Sequence, residues 1–216
     1  MNPIFELIHA TGVVPVIAIE RARDALPLAD ALLEGGLPLA EITFRTAAAA
    51  EVIATLTRER PELRIGAGTL LNEEAVNQAK ESGATFGLAP GFDPRVLDAA
   101  VKYGLDFAPG IMTPSELSMA ASLGLRVMKF FPAGIAGGPA ALSGINAPFS
   151  HLGLRFIPTG GITQDTLGDW LRLPQVLAVG GTWIARSEDI RNGNFTEITR
   201  LARAACQQVQ QIREQA

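Results

Sequence analysis

Eight short apolar runs recur along the chain, and their spacing constrains the fold more than any other feature. They are VVPVIAI (13–19), LAEITF (39–44), RIGAGT (64–69), ATFGLAP (84–90), DFAPGI (106–111), RVMKFF (126–131), RFIPTG (155–160) and VLAVGGT (176–182). Each ends in glycine, proline or a polar residue, and each reads as a strand buried on both faces. Successive runs start 20 to 29 residues apart. That interval holds one helix between neighbours, as parallel strands require.

Helix signals fill the intervals. Thr113-Pro114-Ser115-Glu116 supplies a capping residue, proline at the first helical position and glutamate at the capping-box position. Asp93-Pro94 opens another helix in the same way, and Asn72-Glu73-Glu74 places acids on a positive helix start. Asn194 precedes the last helix, where Ile198, Leu201, Ala205, Val209 and Ile212 form one apolar stripe. Asn2-Pro3 predicts a short extra helix ending near Gly12. Eight strands alternating with helices predict an α/β fold: a single (β/α)8 TIM barrel over residues 1–216 with a short extra N-terminal helix. A doubly wound open sheet is the alternative.

Composition narrows the function. The chain has 216 residues, 48% of them hydrophobic, which suits a globular domain. Its net charge of −4 gives no broad positive field for nucleic acid or an anionic membrane. A small anionic ligand remains compatible, because a local pocket can differ in sign from the whole. The single cysteine, Cys206, and the two histidines, His9 and His151, form no cluster with metal-ligand spacing. No metal is therefore expected, and Cys206 reads as a small apolar filler. The N-terminus lacks a basic stretch followed by a long apolar run, and no apolar segment reaches the ~20 residues of a membrane span. The expected compartment is the cytoplasm.

The run V-M-K-F-F-P-A (127–133) buries a lysine, Lys129, among apolar residues. A charge taken out of water costs free energy unless it is paired or used. Strand side chains alternate, so Glu41, Thr43 and Arg45 point one way while Ala40, Ile42 and Phe44 point the other. The apolar set suits the layer under the helices, which leaves the polar set facing the interior. Val127, Lys129 and Phe131 share one face of the sixth strand. If that face also looks inward, Lys129 and Glu41 meet near the C-terminal end of the barrel, where active sites of this fold are built. A buried Glu–Lys pair that merely closes the barrel is the plain alternative, but such pairs stabilise weakly. Apolar surroundings favour a neutral amine, which is a nucleophile toward ketones. Glu41 is then a general acid/base, and Arg45 a clamp for a carboxylate.

Two loops carry glycine pairs: P-T-G-G-I-T (158–163) after the seventh strand and V-G-G-T-W (179–183) at the eighth. Glycine lets backbone N–H groups approach an anion, and in barrels phosphate commonly binds after these two strands. The two pairs, Gly160-Gly161 and Gly180-Gly181, with the Thr182 hydroxyl, are the candidates. Tight turns use the same residues. G-A-G-T (66–69) leaves Thr69 as a polar donor near the mouth, or marks a simple strand stop.

Two longer stretches, G-L-P-L-A-E-I-T-F-R (36–45) and G-L-R-V-M-K-F-F-P-A-G-I-A-G (124–137), are similar to the glutamate and Schiff-base lysine segments of one family. That family is the 2-keto-3-deoxy-6-phosphogluconate (KDPG) aldolases, class I lyases of the Entner–Doudoroff pathway. The likeness runs on through G-A-G-T, P-T-G-G-I and G-G-T-W in order. It implies that Lys129 forms the imine and Glu41 moves protons. It implies that Arg45 and Thr69 hold the pyruvyl carboxylate, Thr159 lies beside the imine, and Phe131 and Pro90 line the pocket. Gly160, Gly161, Gly181 and Thr182 would hold the phosphate. A homotrimer without a metal or other cofactor is implied as well. The chain departs from the pattern at Leu88-Ala89-Pro90, where many relatives have serine before the proline, and at Thr182, where many have serine.

The implied reaction is cleavage of KDPG to pyruvate and D-glyceraldehyde 3-phosphate. Cleavage of 4-hydroxy-2-oxoglutarate to pyruvate and glyoxylate uses the same chemistry without a phosphate. The C4-epimeric phosphogalactonate is another substrate of that kind. A non-catalytic phosphate-binding barrel is the reading from a different class.

Overall fold

Asn2 opens the first helix of the computed structural model, which describes residues 2–215. Its Oδ1 accepts from the Ile4 N–H at 3.1 Å, and Pro3 takes the first helical position. Gly12, at a φ of 73°, closes α1 (Pro3–Thr11) in the left-handed conformation that glycine tolerates. The chain then alternates as the spacing predicts. β1 (Val13–Ile17) leads to α2 (Ala25–Glu34), β2 (Leu39–Thr43) to α3 (Ala49–Glu59), and β3 (Arg64–Gly68) to α4 (Glu73–Glu81). β4 (Phe86–Leu88) leads to α5 (Pro94–Tyr103), and β5 (Asp106–Ala108) with β6 (Gly110–Ile111) to α6 (Pro114–Ser122). β7 (Val127–Phe130) precedes α7 (Gly138–Asn146), and β8 (Arg155–Pro158) precedes α8 (Leu167–Leu171). β9 (Val179–Gly181), α9 (Ser187–Arg191) and α10 (Phe195–Glu214) complete the chain.

The caps follow local chemistry. Thr113 and Glu116 form the expected capping box, and the Asn72 and Asp93 side chains accept from the Ala75 and Arg95 N–H groups. Asn194 differs. It precedes α10, but its side chain makes no cap bond and donates instead to Asp189 Oδ1 at 3.3 Å.

Every strand pairing is parallel. Six strands lie in the order β5-β4-β3-β2-β1-β9, and three in the order β6-β7-β8. The sheets curl toward each other, with a bridge between Thr159 and Gly180 joining the end of β8 to β9. The run at 106–111 is two short strands rather than one. Pro109 has no N–H to continue the ladder, though its carbonyl accepts from the Lys129 N–H at 2.8 Å. The last run is regular only from Val179, while Val176 makes an isolated bridge to Phe156.

Buried side chains sort by strand alternation. Ala40, Ile42, Met128 and Phe130 join the cluster beneath the helices. Leu39, Val127, Phe86, Leu88 and Ile157 join a second cluster with Ile4, Phe5 and Ile8 of α1. Helix α1 therefore packs on the inner face near the strand starts, and the polar positions of β2 and β7 continue that face toward the strand ends.

Candidate active site

Glu41 and Lys129 lie 88 residues apart in sequence and meet on this inner face. Lys129 Nζ sits 3.2 Å from Glu41 Oε1, with Lys129 5% and Glu41 1% exposed. The alternation of β2 and β7 turns both inward, and the inner apolar cluster lies below them. A buried pair gives up hydration that its attraction scarcely returns, so this arrangement is poor value for stability alone. Of the seven buried polar or charged residues described, four are Glu41, Thr43, Lys129 and Thr159, so buried polarity is concentrated on this face.

Glycines make room for it. Gly68 stands opposite Thr43 in the β2–β3 register, and a Cβ there would lie 1.9 Å from Glu41 Oε1. A Cβ at Gly180 would lie 2.2 Å from Thr159 Oγ1. The G-A-G-T motif is thus neither a bare strand stop nor only a carrier for Thr69. It also clears the space that the Glu41 carboxylate fills. Thr69 itself has a φ of 59°, the one non-glycine residue at positive φ among those described. A β-branched residue held there costs on the order of 1–3 kcal/mol, and such strain clusters at functional sites.

The other predicted residues group around the pair. The Phe131 ring centroid is 5.6 Å from Lys129 Nζ, although Phe131 lies just beyond the end of β7. Lys129 pairs with Gly110 across the β6–β7 ladder, and Gly110 packs against the Pro90 backbone so closely that a Cβ would lie 2.3 Å from its carbonyl. Thr159 N–H donates to the Phe130 carbonyl at 2.9 Å. Thr43 Oγ1 donates to the Ile17 carbonyl at 3.0 Å and accepts from Arg45 Nε at 3.2 Å, so a buried hydroxyl orients the guanidinium.

Arg45 opens onto a cavity of about 490 Å³ that Gly161 and Thr182 also line. Gly160 and Gly181 are not among the residues that line it, and all three glycines have conformational or packing reasons of their own. Gly160 and Gly161 have φ of 96° and 75°, and a Cβ at Gly181 would lie 2.5 Å from the Trp183 ring. The same cavity is lined by Thr163, Arg186 and Ser187, which the sequence did not single out. No spacing marks Arg186 or Ser187; they reach the cavity only because the chain after β9 turns back beside Gly161. Another cavity, of about 540 Å³, lies by the starts of β5 and β7 against Asn2 and Phe5 and holds none of the candidate residues.

Among the described residues, no three His, Cys, Asp or Glu side chains group so as to hold a metal ion. No helix among them is long and apolar enough to cross a membrane.

Known proteins share this architecture. The family model for KDPG and KHG aldolases matches residues 4–201. The chain is 41% identical over 207 residues to the 2-dehydro-3-deoxy-phosphogluconate aldolase of Treponema pallidum, covering 96% of this chain and 98% of that one. The solved KDPG aldolase of Legionella pneumophila, with pyruvate captured as a covalent carbinolamine intermediate, is 38% identical. It superposes with a TM-score of 0.89 over 93% of this chain and 97% of that one. The 2-keto-3-deoxy-6-phosphogluconate aldolase of Zymomonas mobilis, solved with 3-phosphoglycerate, is 37% identical with a TM-score of 0.85, covering 95% of each chain.

Proposed function

This chain belongs to the KDPG and KHG aldolase family, and we propose from that premise how its own residues carry the chemistry. It is a class I aldolase, a carbon–carbon lyase that cleaves KDPG to pyruvate and D-glyceraldehyde 3-phosphate. The observation that carries the assignment of roles is the buried contact between Lys129 Nζ and Glu41 Oε1.

The proton shared by the Glu41–Lys129 pair passes to Glu41, and the neutral Lys129 amine attacks the C2 ketone with its lone pair. The resulting carbinolamine is the kind of adduct that the Legionella relative holds with pyruvate. Glu41 returns that proton to the departing hydroxyl, and loss of water gives a protonated imine. Glu41, directly or through a water, then removes the C4 hydroxyl proton. The C3–C4 bond breaks, its electrons pass to the imine as an enamine, and glyceraldehyde 3-phosphate leaves. Protonation at C3 and hydrolysis return pyruvate and the free amine. Arg45 and Thr69 hold the C1 carboxylate, Thr159 lies beside the imine, and Phe131 and Pro90 wall the pocket. Gly160, Gly161, Gly181 and Thr182 hold the phosphate; the shared cavity of Arg45, Gly161 and Thr182 supports that reading. The cationic imine does the work of a Lewis acid, so the reaction needs no metal. Prolonged EDTA treatment leaves the rate unchanged on this reading, and a loss restored by zinc would overturn it.

We read the two curled sheets as one closed (β/α)8 barrel and the chain as one domain. The bridge between Thr159 and Gly180 on one side, and the run of β5 through Pro109 into β6 on the other, support closure around the three-stranded sheet. The molecule is read as a cytoplasmic homotrimer. Exposed Leu71, Met112 and Ile135, on loops that follow strands, are apolar surface that a trimer contact would cover. Hydrodynamic mass tests this, and a monomer at assay concentration would refute it.

Borohydride reduction with pyruvate tests the central step. The chain has three lysines. Lys80 donates to the Gly104 carbonyl at 2.7 Å, and Lys102 is held in its ammonium form by a hydrogen bond to Glu73. Stoichiometric label should fall on Lys129 alone, and label on another lysine overturns the assignment. The family description also names KHG, so 4-hydroxy-2-oxoglutarate is the second substrate to assay. Coupled turnover of both with lactate dehydrogenase ranks them.

A further inference from the structure

The cavity shared by Arg45, Gly161 and Thr182 has a second guanidinium on its wall, that of Arg186. No aspartate or glutamate is among the described residues that line it. Two cations and no anion in one cleft leave charge for an anionic ligand to meet. Arg45 is committed by its Nε bond to the buried Thr43 hydroxyl and by the carboxylate role proposed above. Arg186 is exposed, and its side chain makes no hydrogen bond or ion pair among the described residues. The nearby carboxylate of Glu197 feels Arg186, but both its oxygens are taken by Arg200 at 2.7 Å.

We propose that Arg186 is a specificity-determining residue of this aldolase, supplying the positive charge that selects substrates ending in a phosphate dianion. The inference rests on the phosphate reading of this cavity. Gly160, Gly161, Gly181 and Thr182 offer only neutral donors, which position an oxygen without matching two negative charges. A guanidinium matches them and can grip two phosphate oxygens at once. Because Arg186 reaches the cavity from the solvent side, its contribution is screened by salt. Selection by this residue is therefore strongest at low ionic strength.

The test compares KDPG with unphosphorylated 2-keto-3-deoxygluconate on the wild type, Arg186→Gln and Arg186→Lys. Arg186→Gln should lower kcat/KM for KDPG about tenfold, the scale of one partly screened charged hydrogen bond. Turnover of the unphosphorylated acid should stay within about twofold. Orthophosphate should inhibit the wild type competitively and the Gln variant more weakly, and Lys should recover part of the loss. Raising the salt should shrink the gap between wild type and variant. An equal loss on both substrates, or no loss on KDPG, overturns the role of Arg186. A wild type with no preference for KDPG over the unphosphorylated acid removes the phosphate reading itself, and this inference with it. Borohydride trapping of pyruvate on Lys129 tests the imine separately, so the two failures are distinguishable.

Discussion

The carboxylate of Glu41 occupies the space that Gly68 leaves by having no side chain. A Cβ at Gly68 would lie 1.9 Å from Oε1, 2.7 Å from Cδ and 2.8 Å from Cγ of Glu41. Gly68 is not among the glycines at positive φ, so its backbone accepts alanine. The closest conflict in Gly68→Ala is therefore with Glu41, which must leave its place beside Lys129. Turnover should fall by roughly 10²-fold, the scale of a misplaced proton-transfer group. The coupled assay measures it, with circular dichroism checking the fold. Normal turnover in a folded variant would show that the position of Glu41 does not matter.

Glu41→Gln keeps the shape of the side chain and removes its basicity. Pyruvate should still be trapped in part on Lys129, while carbon–carbon cleavage slows by roughly 10²-fold or more. Single-turnover measurements separate the two steps. Near-wild-type cleavage by the glutamine variant is the outcome that excludes Glu41 as the base.

Thr43→Val is nearly isosteric but deletes the hydroxyl between the Ile17 carbonyl and Arg45 Nε. Arg45 loses the contact that aims it. KM for the keto acid should rise several-fold, in line with about 1 kcal/mol for one hydrogen bond, and kcat should change less. Thr43→Ser should restore KM. If valine and serine behave alike, the hydroxyl has no part in substrate binding.

The Thr113–Glu116 capping box ties stability to pH. Partial burial pushes the Glu116 carboxyl up, but hydrogen bonds from the Met112 and Thr113 N–H groups and the Thr113 hydroxyl outweigh it and hold the group below the usual glutamate range. A depressed value means the stabilisation is present above the ordinary glutamate pKa of about 4.3 and fades as pH falls through the lower folded value. Glu116→Ala should cost about 1 kcal/mol at pH 7, the scale of a helix cap. The difference should shrink below about pH 4. Urea unfolding at both pH values checks it, and a pH-independent difference argues against the carboxylate.

Sequence alone determined the alternation of strands and helices, because apolar run length and cap chemistry are local properties. Asn2, Asn72, Asp93 and Thr113 cap the helices they were expected to cap. It also determined which face of β2 and β7 is polar, since side-chain direction follows from strand geometry. Glu41 and Lys129 were legible for that reason, as residues whose burial needs an explanation. Asn194 precedes α10 as expected, but the turn of its side chain to Asp189 was not legible, and neither was the break at Pro109. The first depends on where Asp189 lies, and the second on which strand each half of 106–111 pairs with.

Tertiary structure decided everything that depends on neighbours across strands. The 3.2 Å contact of Lys129 with Glu41 needs β2 and β7 on facing sides of the curled sheets. The meaning of Gly68 and Gly180 lies in the side chains they admit, Glu41 and Thr159, which belong to other strands. Arg186 carries no motif, and only the path of the loop after β9 brings it to the wall that Arg45 and Gly161 share. Alternation and capping act over a few residues, so one sequence suffices to read them. Packing, register and shared cavities join residues far apart in the chain, and only the folded structure specifies those distances.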